Sequence, residues 1–521
     1  MKSKILTTTC ALAMTTGMAN ADYTLHILHI NDLHSRIEPI NRFDSTCNAE
    51  DNAAGECFGG VARVITKINE LREELSDENV IVLDAGDQYQ GSLMYTTYKG
   101  DVEAEFAEMI GFDAMAVGNH EFDDGDEGLR KLTDNVSFPI ISGNIDVSGS
   151  NVLAGQVDDH VILEVGGQKI GIVSALAVDT VETSSPLASV VFTDEADSLS
   201  ADVAALEAKG VDKIIALTHV GASRDMAIAE KVAGLDAVVG GHSHTLFSNT
   251  EDGAMAYPTM VGNVPVVQAY AYSKYVGHLT LKFDDNGNVT SATGDTILLD
   301  ASVAEDEAVV ARVAELAGPI EEMKTRVVGE SSNAIDGDRS VCRAMECPMG
   351  NLVADAMLDR VKDQGIQIAI QNGGGLRASI DSGEITMGEV LTVLPFQNTL
   401  STFEVTGEVI VAALENGVGE IEDGAGRFPQ VAGMSYTIDA AAEPGSRISD
   451  VKVGGKPIDL AATYGAVSNN YVRNGGDGYS MFKTAANAYD YGPDLADVTA
   501  EFIAAQGAAY APYTDGRITL K

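Results

Sequence analysis

The chain has 521 residues, more than one hydrophobic core ordinarily serves, so two or more domains are expected. Its composition, 45% hydrophobic and 21% charged, is that of a globular protein and excludes a largely disordered chain. The formal net charge of −45 argues against a nucleic-acid polymer as partner, because such proteins gather Lys and Arg to neutralise phosphates.

The first residues have the pattern of an export signal. Lys2 and Lys4 form a short basic start, residues 5–18 are mildly apolar, and an Ala-Asn-Ala sequence at 19–21 offers a cleavage site. These features predict a signal peptide over residues 1–21 and a periplasmic or secreted protein. The alternative interpretation is that these residues form a helix of the mature protein. No later run of about 18 apolar residues and no apolar tail is present, so neither a membrane span nor a lipid anchor is predicted.

The first part of the chain alternates strand-like apolar runs with helical patterns, which indicates an α/β architecture with buried sheets. A helix is predicted over Val61–Leu75, where apolar residues recur at helical spacing and charges occupy the other face. Strands are predicted over Leu25–Ile30, Val80–Leu83, Ala114–Val117, Ile170–Leu176, Lys213–Leu217 and Ala237–Val239.

Residue types that bind metal ions follow these strands directly, in loops where active sites commonly lie. They are Asp32, His34, Asp87, Asn119, His120, His219, His242 and His244. A single histidine of this kind is more often an ordinary loop or core residue, but five of the nine histidines fall at these positions. The remaining four, His26, His29, His160 and His278, are interpreted as structural or surface residues.

This combination suits the hydrolysis of a phosphate ester. The negative charge of the ester repels an attacking hydroxide, and two metal ions about 3.5–4 Å apart overcome the repulsion by lowering the pKa of a bound water and clamping the phosphoryl oxygens. Such a site needs nitrogen and oxygen ligands for each ion and one carboxylate that bridges them.

The region between two domains is predicted at 302–327, which is rich in Ala, Glu and Val at near-helical spacing and is broken by Gly318-Pro319. We expect a linking helix followed by a hinge.

Four cysteines remain once the signal is removed, and the close-spaced pairs Cys47–Cys57 and Cys342–Cys347 are the simplest disulfides among three possible connectivities. A zinc site of four thiolates is the alternative.

Segments after residue 327 suggest recognition of a nucleotide. Arg377 ends a glycine-rich segment and suits bidentate contact with phosphate. Phe396 and Tyr471 can stack on the two faces of a base, although each aromatic alone is more often a core residue. Asp477 lies in a second glycine-rich loop, where its carboxylate can accept hydrogen bonds from ribose hydroxyls.

Five segments together resemble the signature of calcineurin-like metallophosphoesterases. They are His29-Ile-Asn-Asp-Leu-His34, Asp84-Ala-Gly-Asp87, Gly118-Asn-His-Glu-Phe-Asp123, Thr218-His219 and Gly240-Gly-His-Ser-His244. In order and spacing they resemble the 5′-nucleotidase/UDP-sugar hydrolase family over nearly the whole mature chain. His244, where some bacterial members carry Gln, makes the chain more similar to the animal ecto-5′-nucleotidases, as does the Cys47–Cys57 insertion.

The resemblance implies a four-layer α-β-β-α sandwich metallophosphoesterase domain (22–301), the linker (302–327) and a second α/β substrate-binding domain (328–521). It implies two divalent metal ions, and the mixed ligands suit Zn, Mn, Co or Fe. The first ion would be held by Asp32, His34, Asp87 and His244, and the second by Asp87, Asn119, His219 and His242. His120 would contact the phosphoryl group or help protonate the leaving oxygen, and Asp123 would orient His120.

The same resemblance implies the substrate contacts. Phe396 and Tyr471 would stack on the base, Asn372 would contact the base or ribose, Asp477 the ribose, and Arg343 and Arg377 the phosphate. The expected activity is that of a 5′-nucleotidase, in which a metal-bound hydroxide releases nucleoside and phosphate from a nucleoside 5′-phosphate. Alternatives with the same metal core are a UDP-sugar or dinucleotide pyrophosphatase, a 2′,3′-cyclic phosphodiesterase with 3′-nucleotidase activity, and a thiosulfohydrolase.

Two alternatives come from other classes of protein. A non-catalytic nucleotide-binding protein would have lost metal ligands, yet every ligand that the resemblance implies is present. A surface protein that binds cations through its acidic excess would have many weak sites and no turnover sensitive to chelators. The sequence makes no prediction of the oligomeric state.

Overall fold

The computed structural model describes residues 23–42, 44, 47, 49–321, 325–396, 398–489 and 492–521. The predicted signal peptide, residues 1–21, lies outside this part of the chain, as do residues 322–324 of the predicted linker. Among the residues described, no helix combines the length and the apolar character that crossing a bilayer requires.

The strands are numbered in chain order. They are β1 (Tyr23–Ile30), β2 (Val80–Asp84), β3 (Ala114–Ala116), β4 (Ile140–Ile141), β5 (Ile145–Asp146), β6 (His160–Val165), β7 (Gln168–Leu176), β8 (Val191–Phe192), β9 (Ile214–His219), β10 (Ala237–Gly240), β11 (Thr259–Val261), β12 (Val264–Val267), β13 (Tyr275–Phe283), β14 (Val289–Leu298), β15 (Val327–Ser331), β16 (Ile366–Asn372), β17 (Gly383–Thr386), β18 (Leu400–Thr406), β19 (Pro429–Ala432), β20 (Met434–Ile438), β21 (Ile448–Val453), β22 (Lys456–Pro457), β23 (Thr463–Asn469), β24 (Ala486–Tyr489) and β25 (Ile518–Leu520).

The α-helices and the shorter 3-10 helices connect these strands. The α-helices are α1 (Ala49–Ala54), α2 (Val61–Glu74), α3 (Leu93–Tyr98), α4 (Asp101–Ile110), α5 (Gly125–Asn135), α6 (Thr180–Thr183), α7 (Glu195–Glu207), α8 (Ala222–Lys231), α9 (Glu307–Ala317), α10 (Arg339–Cys342), α11 (Pro348–Val361), α12 (Met387–Val393), α13 (Gly407–Gly417), α14 (Asn470–Arg473) and α15 (Leu495–Ala505). The 3-10 helices are His120–Phe122, Gly318–Ile320, Lys362–Gln364, Gly373–Gly375, Ile421–Asp423, Gly476–Gly478 and Ser480–Phe482.

The first domain contains two six-stranded sheets, ordered β14-β13-β1-β2-β3-β4 and β11-β12-β10-β9-β7-β6. Successive residues of a strand point to opposite faces. Ile27 of β1 therefore lies in the buried cluster that also includes Ile215 of β9, whereas Leu28 packs with Val64 and Ile68 of α2. Helices α7 and α8 contact the second sheet. The predicted α-β-β-α sandwich is confirmed.

The six predicted strands and the helix after β1 are present, with ends that differ by a few residues. Val117 and Lys213 were predicted inside strands and lie just outside β3 and β9. Both still take part in a backbone hydrogen bond with the neighbouring strand, Val117 N to Ile141 O and Gly171 N to Lys213 O. Hydrogen bonding thus continues slightly past each assigned strand end.

The second domain is a separate α/β unit with its own core. Its main sheet has the order β19-β16-β23-β18-β24, and a smaller sheet has the order β22-β21-β20-β25. Helix α11 packs on β16 and β19 and also contacts α15.

Each domain contains one disulfide, Cys47–Cys57 in the first and Cys342–Cys347 in the second. This confirms the predicted pairing and contradicts the alternative of a zinc site made of four thiolates.

Within the predicted linker the structure has one α-helix among the described residues, α9, followed at Gly318 by a 3-10 turn. Asp306 caps the helix by accepting hydrogen bonds from Ala308 N and Val309 N. Val309 and Leu316 belong to the buried cluster of the first domain. The helix is therefore packed on the first domain, and the chain that joins it to β15 is short.

Candidate metal centre and nucleotide cleft

All seven predicted metal ligands lie together at one edge of the first domain. They come from the loops after β1, β2, β3 and β10 and from the last residue of β9: Asp32, His34, Asp87, Asn119, His219, His242 and His244. All except His242 are buried. The convergence follows from the parallel pairing of β1 with β2, of β2 with β3, and of β9 with β10, since parallel strands end on the same side of a sheet.

The loops that carry these ligands have an unusual backbone. Asp32, His34, Asp87, His242 and His244 all have φ between 50° and 74°, the left-handed region that non-glycine residues rarely adopt. Each such residue costs about 1–3 kcal/mol and persists only when its surroundings enforce it. Here the first two loops are joined by hydrogen bonds from Asp32 N to Gly86 O and from His34 N to Asp87 O. Five of the seven candidate ligands therefore have a backbone that the surrounding loops must hold in place.

The first ligand cluster consists of Asp32, His34 and His244. His34 Nε2 lies 3.0 Å from His244 Nε2, and His244 Nε2 lies 3.1 Å from Asp32 Oδ1. Asp87 Oδ2 is 3.7 Å from His34 Nε2. Four potential ligand atoms therefore face a common point.

The second cluster consists of Asp87, His219 and His242. His219 Nε2 lies 3.1 Å from the same Asp87 Oδ2 that faces His34. Asn119 Oδ1 joins this cluster, 2.9 Å from His242 Nδ1. Asp87 is thus placed between the two clusters, as a bridging carboxylate would be.

Several features of the clusters fit divalent cations. Within the described part of the chain, Asp32 Oδ1 and His219 Nε2 are buried, and each lies 3.1 Å from another candidate ligand atom without meeting hydrogen-bond geometry. Burial of such atoms is costly unless a further partner binds them. Burial lowers the pKa of His242 to about 3 and holds the pKa of His34 and His244 well below the usual value, which favours the neutral imidazole that binds metals. Imidazole, carboxylate and amide donors together suit transition metals.

Burial and ion pairing together explain the remaining pKa shifts in the clusters. Burial raises the pKa of Asp32 to about 6. Burial alone would raise the pKa of Asp87, but His219 and His120 hold it well below its usual range. Burial would lower the pKa of His219, yet contact with Asp87 raises it to about 10. A bound cation would replace these protons as the neutralising charge.

Neighbouring groups orient the ligands. The Nδ1 atoms of His34 and His219 lie 3.2 Å from Tyr89 O and 2.6 Å from Ala85 O, so the Nε2 atoms are left to face the clusters. Glu121 was part of the recognised motif but had no predicted role. Its carboxylate accepts hydrogen bonds from four backbone N–H groups, those of Asp87, Gln88, Tyr89 and Gly118. Glu121 thereby ties the loop after β2 to the loop after β3.

His120 and Asp123 form the predicted pair beside the clusters. His120 Nδ1 lies 2.7 Å from Asp123 Oδ2, and His120 N donates to Asp87 Oδ1 at 2.9 Å. Burial would lower the pKa of His120, but the carboxylates of Asp123 and Asp87 outweigh it and raise the pKa. The pair is therefore arranged to favour an imidazolium at this position.

The second domain closes a cavity of about 430 Å³ over these residues. Its first wall includes His34, Asp87, Asn119, His120, His242 and His244. Its second wall includes all six predicted substrate-binding residues, Arg343, Asn372, Arg377, Phe396, Tyr471 and Asp477. The structure thus brings the two predicted sets of residues together in one cleft between the domains.

Contacts across the cleft are direct. The Phe396 ring lies 5.9 Å from the His120 ring, and Arg377 Nη2 lies 3.4 Å from His34 Nε2. Within the second domain, Asp477 accepts hydrogen bonds from Asn372 Nδ2 at 2.7 Å and from the Tyr471 hydroxyl at 3.1 Å. Three of the predicted nucleotide contacts are therefore held in one hydrogen-bonded group.

Two further arginines near the site were not predicted from the sequence. Arg339 lines the cavity beside Arg343 and Arg377, and burial together with neighbouring arginines lowers the pKa of Arg339 and Arg343. Arg36 is buried with its guanidinium over the Tyr272 ring, and among the described residues its three nitrogens make no hydrogen bond. Such a group of cations favours an anionic ligand. The position of Arg36, two residues after His34, was the signal that could have identified it.

Comparison with known proteins agrees with this architecture. The family model for calcineurin-like phosphoesterase matches residues 25–246, and that for the 5′-nucleotidase C-terminal domain matches residues 327–484. The chain is 38% identical to a 5′-nucleotidase of Rattus norvegicus, over 95% of this chain and 90% of that protein.

Solved structures give the same result. A 5′-nucleotidase precursor from Thermus thermophilus superposes with a TM-score of 0.90 at 37% identity, covering 96% of this chain and 99% of that one. The NAD nucleotidase of Haemophilus influenzae superposes with a TM-score of 0.59 at 27% identity, covering 96% and 99%. The chain therefore belongs to the 5′-nucleotidase family and is a metal-dependent phosphoester hydrolase with a calcineurin-like first domain.

Proposed function

We propose that the protein is an exported 5′-nucleotidase that uses two divalent metal ions to hydrolyse nucleoside 5′-phosphates to nucleoside and phosphate. The observation that supports this most strongly is the shared cavity, in which the two ligand clusters face an aromatic pair and a buried carboxylate. A phosphate at the clusters would leave its nucleoside within reach of Phe396 and Tyr471.

The metal assignment follows the two clusters. Asp32, His34, Asp87 and His244 would hold the first ion, and Asp87, Asn119, His219 and His242 the second. When bound, the two ions would supply the positive charge that offsets the phosphate and would lower the pKa of a coordinated water. Zn, Mn and Co all suit these donors.

Side chains of this protein would bind the phosphate and the base and would donate the proton. Arg343 and Arg377, with Arg339 beside them, would hold phosphoryl oxygens, since guanidinium groups match phosphate geometry. Phe396 and Tyr471 would stack on the base. Because Asp123 is bonded to His120 Nδ1, the Nε2 atom is the ring nitrogen left for substrate. His120 would donate a proton from Nε2 to the leaving 5′-oxygen or a hydrogen bond to the phosphoryl group.

A panel of AMP, ATP, UDP-glucose, NAD and cyclic nucleotides, assayed with defined metals and with a chelator, tests this proposal. We expect chelator-sensitive release of phosphate from AMP. His120→Ala should lower kcat by a factor of about a hundred or more while both metals are retained, because the ring contacts substrate and is not one of the seven proposed metal ligands. Full activity of that variant would contradict the assignment of His120.

A pyrophosphatase acting on nucleotide sugars or dinucleotides is a second candidate, and one feature favours it. A cavity of about 520 Å³ adjoins the first and shares His244, Arg339, Arg343 and Arg377 with it. Tyr270 and Tyr272 also line this space, which could take a group attached to the reacting phosphate. Faster turnover of NAD or UDP-glucose than of AMP in the panel would favour this candidate.

Export is part of the proposal, with residues 1–21 as signal peptide and the domain boundaries at 22–301, 302–327 and 328–521. The two disulfides support an oxidising compartment. Mass spectrometry of the mature protein from the culture supernatant or periplasm should find a new N-terminus at Asp22. A cytosolic protein that starts at Met1 would contradict export.

A further inference from the structure

We propose that Ser184 is a positioning residue for the hydrolysis, acting through Asp123 on His120. The inference rests on the proposed function, in which His120 contacts the substrate. It concerns a residue that belongs to none of the sequence motifs and that lies in a segment with none of the proposed metal ligands.

The hydrogen bonds form a short chain that ends at the candidate catalytic ring. Ser184 Oγ donates to Asp123 Oδ1 at 2.8 Å, and the other carboxylate oxygen, Oδ2, lies 2.7 Å from His120 Nδ1. Each oxygen of Asp123 thus has a different partner, and the carboxylate plane is fixed by two bonds. A carboxylate held by one bond alone could turn about its own axis and change the direction of the His120 ring.

The backbone around Ser184 is itself well anchored. Ser184 follows α6 directly, and its N–H donates to Thr180 O at 3.0 Å. Thr180 is fully buried and its N–H donates to Ala177 O, just after β7. At the start of the segment, Asp179 pairs with Arg224 at 2.8 Å. These contacts hold the hydroxyl over Asp123.

The second domain covers this segment. Helix α6 contacts the Gly476–Gly478 turn, which carries Asp477. Ser184 itself lines the cavity beside Asp123 and His120. The placement of its hydroxyl therefore depends on the first domain below it and on the nucleotide-contacting turn above it.

A double-mutant cycle tests this role. Ser184→Ala should lower kcat about tenfold, the size expected for one hydrogen bond to a charged group, with KM and metal content unchanged. Ser184→Thr, which restores a hydroxyl, should recover most of that loss. In an Asp123→Ala background, Ser184→Ala should cause no further loss, because the two residues act in one chain. Ser200→Ala removes an exposed hydroxyl on α7 and serves as the control.

Two results would overturn the proposal. One is a kcat of Ser184→Ala equal to that of the unchanged protein. The other is a loss in the double variant equal to the product of the two single losses, which would mean that Ser184 acts independently of Asp123. The variants are compared on whichever phosphoester of the panel is hydrolysed. Failure of nucleotide specificity and failure of the Ser184 assignment are therefore separate outcomes.

Discussion

At the scale of single residues, Asp87 connects the two candidate metal clusters. Its Oδ2 atom faces His219 at 3.1 Å and His34 at 3.7 Å, and its Oδ1 atom accepts the His120 N–H. Both oxygens are thus engaged, and the backbone is held in the left-handed region with φ 61°. A neutral amide at this position would keep the shape but lose the charge that two cations share.

We therefore expect Asp87→Asn to bind fewer than two metal ions per chain and to lose AMP turnover by a factor of about a hundred to a thousand, the size found for loss of one electrostatic group in an active site. Elemental analysis of the purified variant measures the first effect. Asp77→Asn, a change to an exposed acid, is the matched control. Normal metal loading in Asp87→Asn would show that the carboxylate does not bridge.

Tyr471 combines a stacking face with a hydroxyl that donates to Asp477. Tyr471→Ala should raise KM for AMP by about ten- to a hundredfold, because stacking on a base contributes about 1–3 kcal/mol. Tyr471→Phe keeps the ring and should raise KM less. Steady-state kinetics on both variants separate the two contributions. A larger rise for Phe than for Ala would mean that the ring does not stack on the base.

At the scale of elements, the loops after β2 and β3 depend on Glu121. Its carboxylate accepts four backbone N–H groups and is fully buried, and burial raises its pKa to about 7. Glu121→Gln would turn an amide NH2 toward these donors. We expect metal affinity to fall about ten- to a hundredfold, as for other residues that orient ligands.

Metal titration of the apo-protein followed by AMP turnover measures this change. Glu127→Gln, on the exposed side of α5, is the control for a general effect of charge. Unaltered metal affinity in Glu121→Gln, together with a normal melting temperature, would show that the two loops hold their shape without this carboxylate.

The elements also show what a sequence can and cannot reveal. Asp32, Asp87 and His219 could be identified as candidate metal ligands because metal-binding residue types directly after apolar strands form a local pattern. Ser184 and Arg339 could not be found in this way, since their partners lie far along the chain: Ser184 is 61 residues from Asp123, and Arg339 is 97 from His242. Their roles arise only when the loops and domains pack together.

At the scale of the whole molecule, the site exists only where the two domains meet. The first domain supplies the candidate metal ligands and Arg36, and the second supplies Arg339, Arg343, Arg377 and the aromatic pair. Chelation should therefore abolish turnover and also lower the melting temperature by several degrees, because removing a bound ligand removes its contribution to stability. Differential scanning calorimetry with and without chelator measures this shift, and re-addition of metal should reverse it.

The two-metal site is tested by measuring the number of bound metal ions and the turnover on the same samples. Apo-protein is titrated with Zn, Mn or Co, free metal is removed by dialysis, and the ions per chain are measured beside the rate of phosphate release from AMP. We predict two ions per chain at saturation, with activity that requires the second ion. Saturation at one ion, or full activity in the metal-free chain, would contradict the two-metal site.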